Sequence, residues 1–525
     1  MKKIAMICFA GALISLSACK KSLLDKEPLD KYSTATLWKS SSDASAALNG
    51  CYNNWEDGAN VMYMDCASDN AYGQFIWEGY TAVGNGFLSA TNTDVVNRFK
   101  YVNVQRCNWF LANVDPTPMD EALKARFKAE ARFIRAYQYF ILSQLYGDVP
   151  LVTKMLTIDE ANTIARTPKA EITKFILDEL KTIAPDLPTS YSGGDVGRIT
   201  RGAALTLKAR VELFNKDYAN AIADYQTIMS FGYNLFPSYQ DLFRIQNENN
   251  AEVILDFQYK ENDFANGNLG VMPSSSMGGY SSIDPTQALV DAYEMKNGKT
   301  ISEANSGYNA NNPYLNRDPR LAATIVFPGQ LYEGGYFNSI DKDASDYYLG
   351  ENNSKTGYVV KKYTSNLADF QDIWNNGLNM IVMRYSEVLL SYAEAKIESN
   401  QIDATVYDAI NKVRTRAGMP NVDQAIYNTQ TTLRELVRRE RRVEFAMEGL
   451  RWFDIQRWQI GPQVRAGDVF GARLGQVNEK TGALTLTSER IFVEKRNFDP
   501  AVHYLWPIPQ KQRDINKNLT QNPGY

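Results

Sequence analysis

The sequence predicts a mainly α-helical fold, in which paired helices form a scaffold and a loop-rich region is inserted between them. Three observations support this prediction. Apolar residues recur at helical spacing over long segments. Two segments have the pattern of helical hairpins, with small residues where the helices meet, whereas residues 236–379 are dense in Gly, Asn, Ser, Asp and Tyr. With 44% hydrophobic and 22% charged residues, the 525-residue chain has the composition of a folded globular protein.

The beginning of the chain is typical of a targeting segment. Two lysines precede an apolar run over residues 4–16, which is too short to span a membrane. The tetrapeptide from Leu16 to Cys19 resembles a bacterial lipobox, in which the cysteine carries the lipid after cleavage. We therefore expect residues 1–18 to be a lipoprotein signal peptide, Cys19 to be the lipid attachment site, and residues 19–31 to form a membrane tether.

The scaffold is predicted in two parts, at about 32–235 and 380–460. Apolar residues of Leu123–Tyr146 fall at intervals of one helical face. Thr200–Met229 joins an Ala-rich helix to one with Tyr and Ile at matching points, an arrangement that resembles a tetratricopeptide repeat. The pattern recurs over Met383–Val413. Such units cannot bury a face alone, so we expect them to stack.

The loop-rich insert, about 236–379, is predicted to contain only short strands, at Glu252–Gln258 and Tyr358–Lys362. Loops held on a rigid scaffold commonly form binding surfaces. We assign residues 461–525 to a C-terminal segment, and all of 32–525 to one domain.

Several blocks follow one another in an order that chance does not explain. They are Ala131–Phe140 with Leu145–Val152, Arg201–Phe214, Arg384–Ala395, Asn411–Gly418, Arg438–Asp454 and Trp506–Tyr525. Together they resemble the SusD/RagB family of Bacteroidetes nutrient-uptake lipoproteins over nearly the whole chain. The resemblance implies a SusD-like fold with four tetratricopeptide-like helix pairs and an irregular binding face. It also implies an outer-membrane protein facing the cell exterior, which acts as a lid on a SusC-like TonB-dependent transporter.

Sugar binding requires flat aromatic faces beside hydrogen-bonding side chains, and aromatic residues make up 12% of the chain. The segment Ser68–Tyr80 offers both kinds of group, with Gln74 as a further polar candidate. The family resemblance adds later loops to this segment. The predicted ligand-binding residues are Asp69, Asn70, Trp77, Tyr80, Tyr280, Tyr336 and Trp374. For each aromatic residue, packing beneath a loop remains the alternative.

Other functions receive less support from the sequence. A net charge of −4 argues against nucleic acid as a partner. The single histidine, His503, has no second histidine for a metal, and no catalytic or cofactor motif is apparent. We therefore predict a protein without enzymatic activity, cofactor or metal, which binds an oligosaccharide. A peptide-binding lid of the same family, a glycosidase with paired carboxylates and a purely structural scaffold remain alternatives.

Two further patterns indicate structural roles. The Arg- and Glu-rich segment Arg438–Glu444 is predicted to follow a capping box of Thr432 and Glu435 and to form an ion-pair network rather than an anion site. Cys51, Cys66 and Cys107 are predicted to be buried thiols, with one disulfide and a free thiol as the alternative.

Overall fold

The computed structural model of the protein describes residues 37–525. The predicted signal peptide, the predicted lipid attachment site Cys19 and the predicted tether lie outside the described residues. Within the described part, no helix is long and apolar enough to cross a membrane.

The helices follow the periodic segments of the sequence. In the first half of the chain they are α1 (Ser41–Tyr52), α2 (Gly58–Tyr63), α3 (Thr81–Asn85), α4 (Thr93–Arg98), α5 (Val102–Asn113), α6 (Glu121–Tyr146), α7 (Ile158–Thr163), α8 (Lys169–Ile183), α9 (Arg201–Phe214) and α10 (Tyr218–Met229). In the second half they are α11 (Gln287–Ala292), α12 (Pro319–Thr324), α13 (Tyr385–Glu398), α14 (Ala404–Arg416), α15 (Gln430–Glu444), α16 (Arg451–Trp458), α17 (Gly461–Val464) and α18 (Gln510–Ile515).

The long helices form one continuous stack, in which each packs against the next. The order of contact is α1, α5, α6, α8, α9, α10, α13 and α14, with α15 also packed on α13. Both predicted hairpins are present, as α9 with α10 and α13 with α14. The predicted mainly α fold of stacked helix pairs is confirmed, since neighbouring helices bury one another's apolar faces.

The longest helix shows how local sequence sets the boundaries. The Asp120 side chain accepts a hydrogen bond from the backbone N–H of Leu123 at 2.8 Å, which caps the start of α6. Gly147 ends the helix with φ +73°, a left-handed value that favours glycine. The buried face between them carries the apolar stripe seen in the sequence.

The strands occur in antiparallel pairs, and all but β9 and β10 have five residues or fewer. These are β1 (Ala71–Gly73) with β3 (Ile283–Pro285), β2 (Val253–Phe257) with β8 (Met380–Arg384), β4 (Ile325–Val326) with β7 (Val359–Val360), β5 (Leu331–Tyr332) with β6 (Gly335–Tyr336), and β9 (Gly467–Val477) with β10 (Leu484–Arg496). The two predicted strands of the insert are confirmed as β2 and β7. The β9–β10 hairpin was not anticipated within the C-terminal segment.

Helix α15 is the centre of a buried ion-pair network, as predicted. Glu444 lies 2.6 Å from Arg384 and 2.9 Å from Arg320, and Arg384 also contacts Glu252 and Glu448 at 2.8 and 2.7 Å. These charges are tolerated inside the protein because each guanidinium group meets carboxylates with short hydrogen bonds. The network ties α15 to the strands of the insert.

Two details of the structural predictions have different outcomes. The capping box was wrong in its register: α15 begins at Gln430, Thr429 is the N-cap, and Thr432 closes the box. Thr429 serves as the N-cap because its hydroxyl accepts a hydrogen bond from the Thr432 backbone N–H at 3.2 Å. Cys51, Cys66 and Cys107 are free and buried, as predicted.

Candidate functional site

The loop between β1 and α3 presents the most exposed tryptophan of the candidate set. Trp77 is 74% exposed and stacks on Phe75, with ring centroids 4.8 Å apart and an interplanar angle of 28°. A short 3-10 turn over Ile76–Glu78 directs this ring pair outward. One face of Trp77 is thus supported by protein, which leaves the other face available to a ligand.

Hydrogen bonds attach this loop to the segment that carries Tyr280. The Gln74 backbone N–H donates to the Ser282 carbonyl at 3.0 Å, and the Gln74 side-chain amide donates to the Tyr280 carbonyl at 3.0 Å. Glu78 accepts from the hydroxyls of Tyr63 and Ser282, both at 2.9 Å. Two segments more than 200 residues apart in the sequence are therefore held side by side.

A second pair of rings continues from this junction. Tyr280 is 47% exposed and Trp374 is 38% exposed, and their centroids lie 5.0 Å apart with the planes at 50°. Gly270 lies directly under Trp374, because a Cβ atom there would sit 2.2 Å from the indole ring. A glycine at this position lets the ring lie flat on the backbone. We call Phe75, Trp77, Tyr280 and Trp374 the aromatic surface.

Two carboxyl groups lie beneath this surface. Burial raises the pKa of Glu78, while the hydroxyls of Tyr63 and Ser282 oppose that shift. Burial also raises the pKa of Asp284 to about 8, against hydrogen bonds from the Lys355 backbone N–H and the Ser281 hydroxyl. Both groups fix the turn that carries Tyr280 and are already engaged, so the free groups of the aromatic surface are its rings.

Three of the sequence-predicted residues lie in the interior instead. Asp69 pairs with Arg442 at 2.9 Å and Arg451 at 2.8 Å. Burial alone would raise the pKa of Asp69, but the two arginines outweigh it and lower that pKa to about 2. Asn70 is fully buried, where its amide donates to Asp65 at 2.7 Å and its carbonyl accepts from Arg442 at 2.9 Å. These polar groups are occupied by protein partners, so neither residue belongs to the exposed surface.

Tyr80 is likewise a core residue, with 3% of its side chain exposed. It stacks on Tyr63 at 5.8 Å and meets the edge of Trp506 at 6.1 Å. Its φ of +49° turns the chain from the exposed loop into α3, and this turn carries the ring inward. No face of the ring is left for a sugar.

Tyr336 occupies a separate position. It lies on the β5–β6 hairpin and packs against Gly482 at the tip of the β9–β10 hairpin, where a Cβ atom would come within 2.5 Å of the tyrosine ring. The structure therefore brings together Trp77, Tyr280 and Trp374 but places Tyr336 elsewhere. Phe75 was not among the predicted ligand-binding residues, although its position two residues before Trp77 indicated that the two rings could lie on the same side of the loop.

The aromatic surface offers flat rings, and the groups considered for catalysis lie elsewhere or are engaged. The single histidine is engaged, since the Nδ1 of His503 accepts from the Asp499 backbone N–H at 2.8 Å. Over residues 37–525, no group of three or more His, Cys, Asp or Glu side chains is placed to hold a metal ion. Flat rings of this size stack on apolar faces of small ring compounds and leave their polar edges in water.

Comparison with known proteins gives the family. The SusD family model matches residues 245–525, which is more than half of the chain. The chain belongs to the SusD family. A second family model, described as "Starch-binding associating with outer membrane", matches residues 24–213 of this SusD family member.

Individual relatives agree with this assignment. A SusD-like carbohydrate binding protein from Bacteroides fragilis is 32% identical, with a TM-score of 0.83 over 92% of this chain and 99% of that one. SusD-like protein P25 of Formosa agariphila is 27% identical over 100% of both chains. Starch-binding protein SusD of Bacteroides thetaiotaomicron is 23% identical over 81% of this chain and 77% of its own length. The family is thus a carbohydrate-binding one.

Proposed function

We propose that this SusD family member captures an oligosaccharide on the aromatic surface and passes it to a SusC-like TonB-dependent transporter of the outer membrane. The observation that carries the proposal is the placement of Trp77, Tyr280 and Trp374, which come from three distant segments yet lie on one exposed stretch. A group of neighbouring exposed rings on a folded protein marks an interaction site, whereas a single exposed ring needs no such explanation.

We also propose a cellular location for the protein. Lipid attached at Cys19 holds it on the outer membrane, facing the cell exterior, because a lipobox-like segment precedes that cysteine and one family model describes association with the outer membrane. Two or three acyl chains would make this attachment stable. The Cys19→Ser variant should be released from the membrane fraction. Continued membrane attachment of this variant would contradict a lipid anchor at Cys19.

The proposal assigns the protein a binding role without catalysis. Glu78 and Asp284, the carboxyl groups described beneath the rings, are engaged in hydrogen bonds that hold the loop and the turn of Tyr280. Incubation with polysaccharides should leave their chain length unchanged. The appearance of shorter products would favour a glycosidase instead.

The test of ligand class is a glycan array beside a peptide library, both probed with the full chain. We expect glycan hits that depend on Trp77 and no peptide hits. Peptide hits alone would make the protein a peptide-binding lid. Co-purification of a SusC-like transporter from membranes, encoded beside the gene for this protein, would test the delivery step.

A further inference from the structure

The structure also contains a concavity that was not predicted from the sequence. Its volume is about 450 Å³, and it lies between α1 and strand β2. We call it the α1–β2 cleft and define it by the lining residues Asn49, Tyr52, Trp55, Arg198, Gln258 and Phe264. The list contains aromatic rings, amides and a guanidinium group, which is the composition expected where sugar hydroxyls are bound.

One wall of the cleft is a fixed series of rings. Phe264 is 40% exposed and lies nearly parallel to Tyr259, with centroids 5.6 Å apart and planes at 13°. It also meets Phe257 at 5.9 Å, and Phe257 in turn contacts the buried Trp55 at 6.1 Å. These contacts hold Phe264 in place while part of its ring stays in solvent, as is true of Trp77.

The other wall is polar. The side chains of Asn49 and Gln258 are exposed at the rim. Gly197 has φ +92°, and a Cβ atom there would sit 2.0 Å from the Gln258 amide, so this glycine is what allows the amide to lie across the wall. Asp256 faces the same cleft and accepts a hydrogen bond from the Asn379 amide at 3.0 Å.

The charges in the cleft are balanced. Arg198 is paired with Glu130 at 3.1 Å and with Asp195 at 2.8 Å. Asp256 adds a nearly buried carboxyl group, and burial raises its pKa to about 6. A guanidinium group already neutralised by two carboxylates offers little to an anion, and Asp256 would repel one. The cleft therefore disfavours acidic glycans, which leaves neutral glycans as its ligands.

A short segment joins the cleft to the aromatic surface. Residues 264–270 run from Phe264, in the cleft, to Gly270, beneath Trp374. This length of chain spans at most roughly 20 Å. Just before this segment, Asn262 is bonded to Asn375 in the loop of Trp374. The Asn262 backbone N–H donates to the Asn375 side chain at 3.0 Å, and the Asn375 amide donates to the Asn262 side chain at 2.7 Å.

We infer that the α1–β2 cleft is a second glycan subsite, so that the ligand is a neutral oligosaccharide chain long enough to lie on the aromatic surface and reach Phe264. This inference rests on the proposed function and adds ligand length and charge to it. A short oligosaccharide would occupy the aromatic surface alone. A longer one would gain contacts with Phe264, Gln258 and Asn49.

The test uses isothermal titration of the full chain with short and long size fractions of each neutral polysaccharide that binds on the array. Phe264→Ala should weaken binding of the long fraction about fivefold, because a sugar covering half of the exposed ring buries about 40 Å². Binding of the short fraction should be unchanged. Trp77→Ala should weaken both fractions.

Phe470 supplies a matched control, since it is 38% exposed and also contacts one other phenylalanine, at 6.1 Å. Phe470→Ala should leave both affinities unchanged, and Gln258→Ala, at an exposed position, should repeat the effect of Phe264→Ala without a risk to folding. Equal effects of Phe264→Ala on short and long fractions, no effect on either, or a matching loss in Phe470→Ala would overturn the subsite. A wild-type protein that binds no glycan would instead contradict the proposed function itself.

Discussion

The Trp77→Ala substitution removes the most exposed ring of the aromatic surface. The expected loss of glycan affinity can be worked out from the exposed area of this ring. An aromatic side chain of this kind offers roughly 200 Å², and 74% of Trp77 is exposed. A sugar stacked on the free face covers about half of the exposed part, or about 75 Å². At about 25 cal/mol per Å² this contact contributes about 2 kcal/mol, so Kd should rise about 25-fold.

The same variant should change stability only slightly. The buried quarter of the ring rests on Phe75 and accounts for about 1 kcal/mol, which lowers Tm by less than about 3 °C in a protein of this size. Isothermal titration and thermal unfolding measure the two effects separately. Phe87→Ala is the control, because Phe87 is 73% exposed outside the aromatic surface. Normal glycan affinity with a much lower Tm would refute the reasoning and make Trp77 a packing residue.

Three other substitutions separate packing from binding. Asp69→Asn should lower the free energy of unfolding by about 3–5 kcal/mol, since it leaves two buried guanidinium groups without their carboxylate. In the wild type, this contribution to stability is present above about pH 4 and is lost as pH falls towards 2. Denaturant titrations at several pH values would measure both effects. Gly270→Ala should weaken glycan binding by displacing the Trp374 ring. Unchanged affinity would show that this ring does not contact the glycan. Tyr80→Phe should leave affinity unchanged and stability within about 1 kcal/mol, because the hydroxyl makes only one 3.4 Å contact; a large loss of affinity would return Tyr80 to the site.

The helices of the scaffold could be predicted because the residues that determine each helix lie close together in the sequence. In α6 the apolar spacing, the Asp120 cap and the Gly147 stop all lie within one stretch of sequence. The β9–β10 hairpin was missed for the opposite reason. Few residues of its strands are buried and its pairing shifts register between Leu486 and Glu494, so apolar alternation is interrupted. The alternating Leu484 and Leu486 were the available indication.

The site was predictable only in part, because burial depends on distant partners. Asp69, Asn70 and Trp77 are neighbours in sequence and share loop-like surroundings. What places Asp69 inside is Arg451, which lies 382 residues further along the chain. A local pattern of aromatic and polar residues contains no information about such a partner. The exposed rings, in contrast, need no partner to be ligand candidates.

The same distance effect explains the α1–β2 cleft. Its rings come from residues 52, 55, 257 and 264, and its polar wall depends on Gly197 approaching the amide of Gln258. None of these residues forms a motif in the sequence. The tertiary fold brings α1, the turn at residues 194–198 and β2 to one cleft.

A structure of the full chain with a bound oligosaccharide from the array tests the central claim most directly. The account predicts sugar rings stacked on Trp77 and Trp374, with Tyr280 between them. Sugar bound elsewhere on the protein, with these rings still free in solvent, would contradict it.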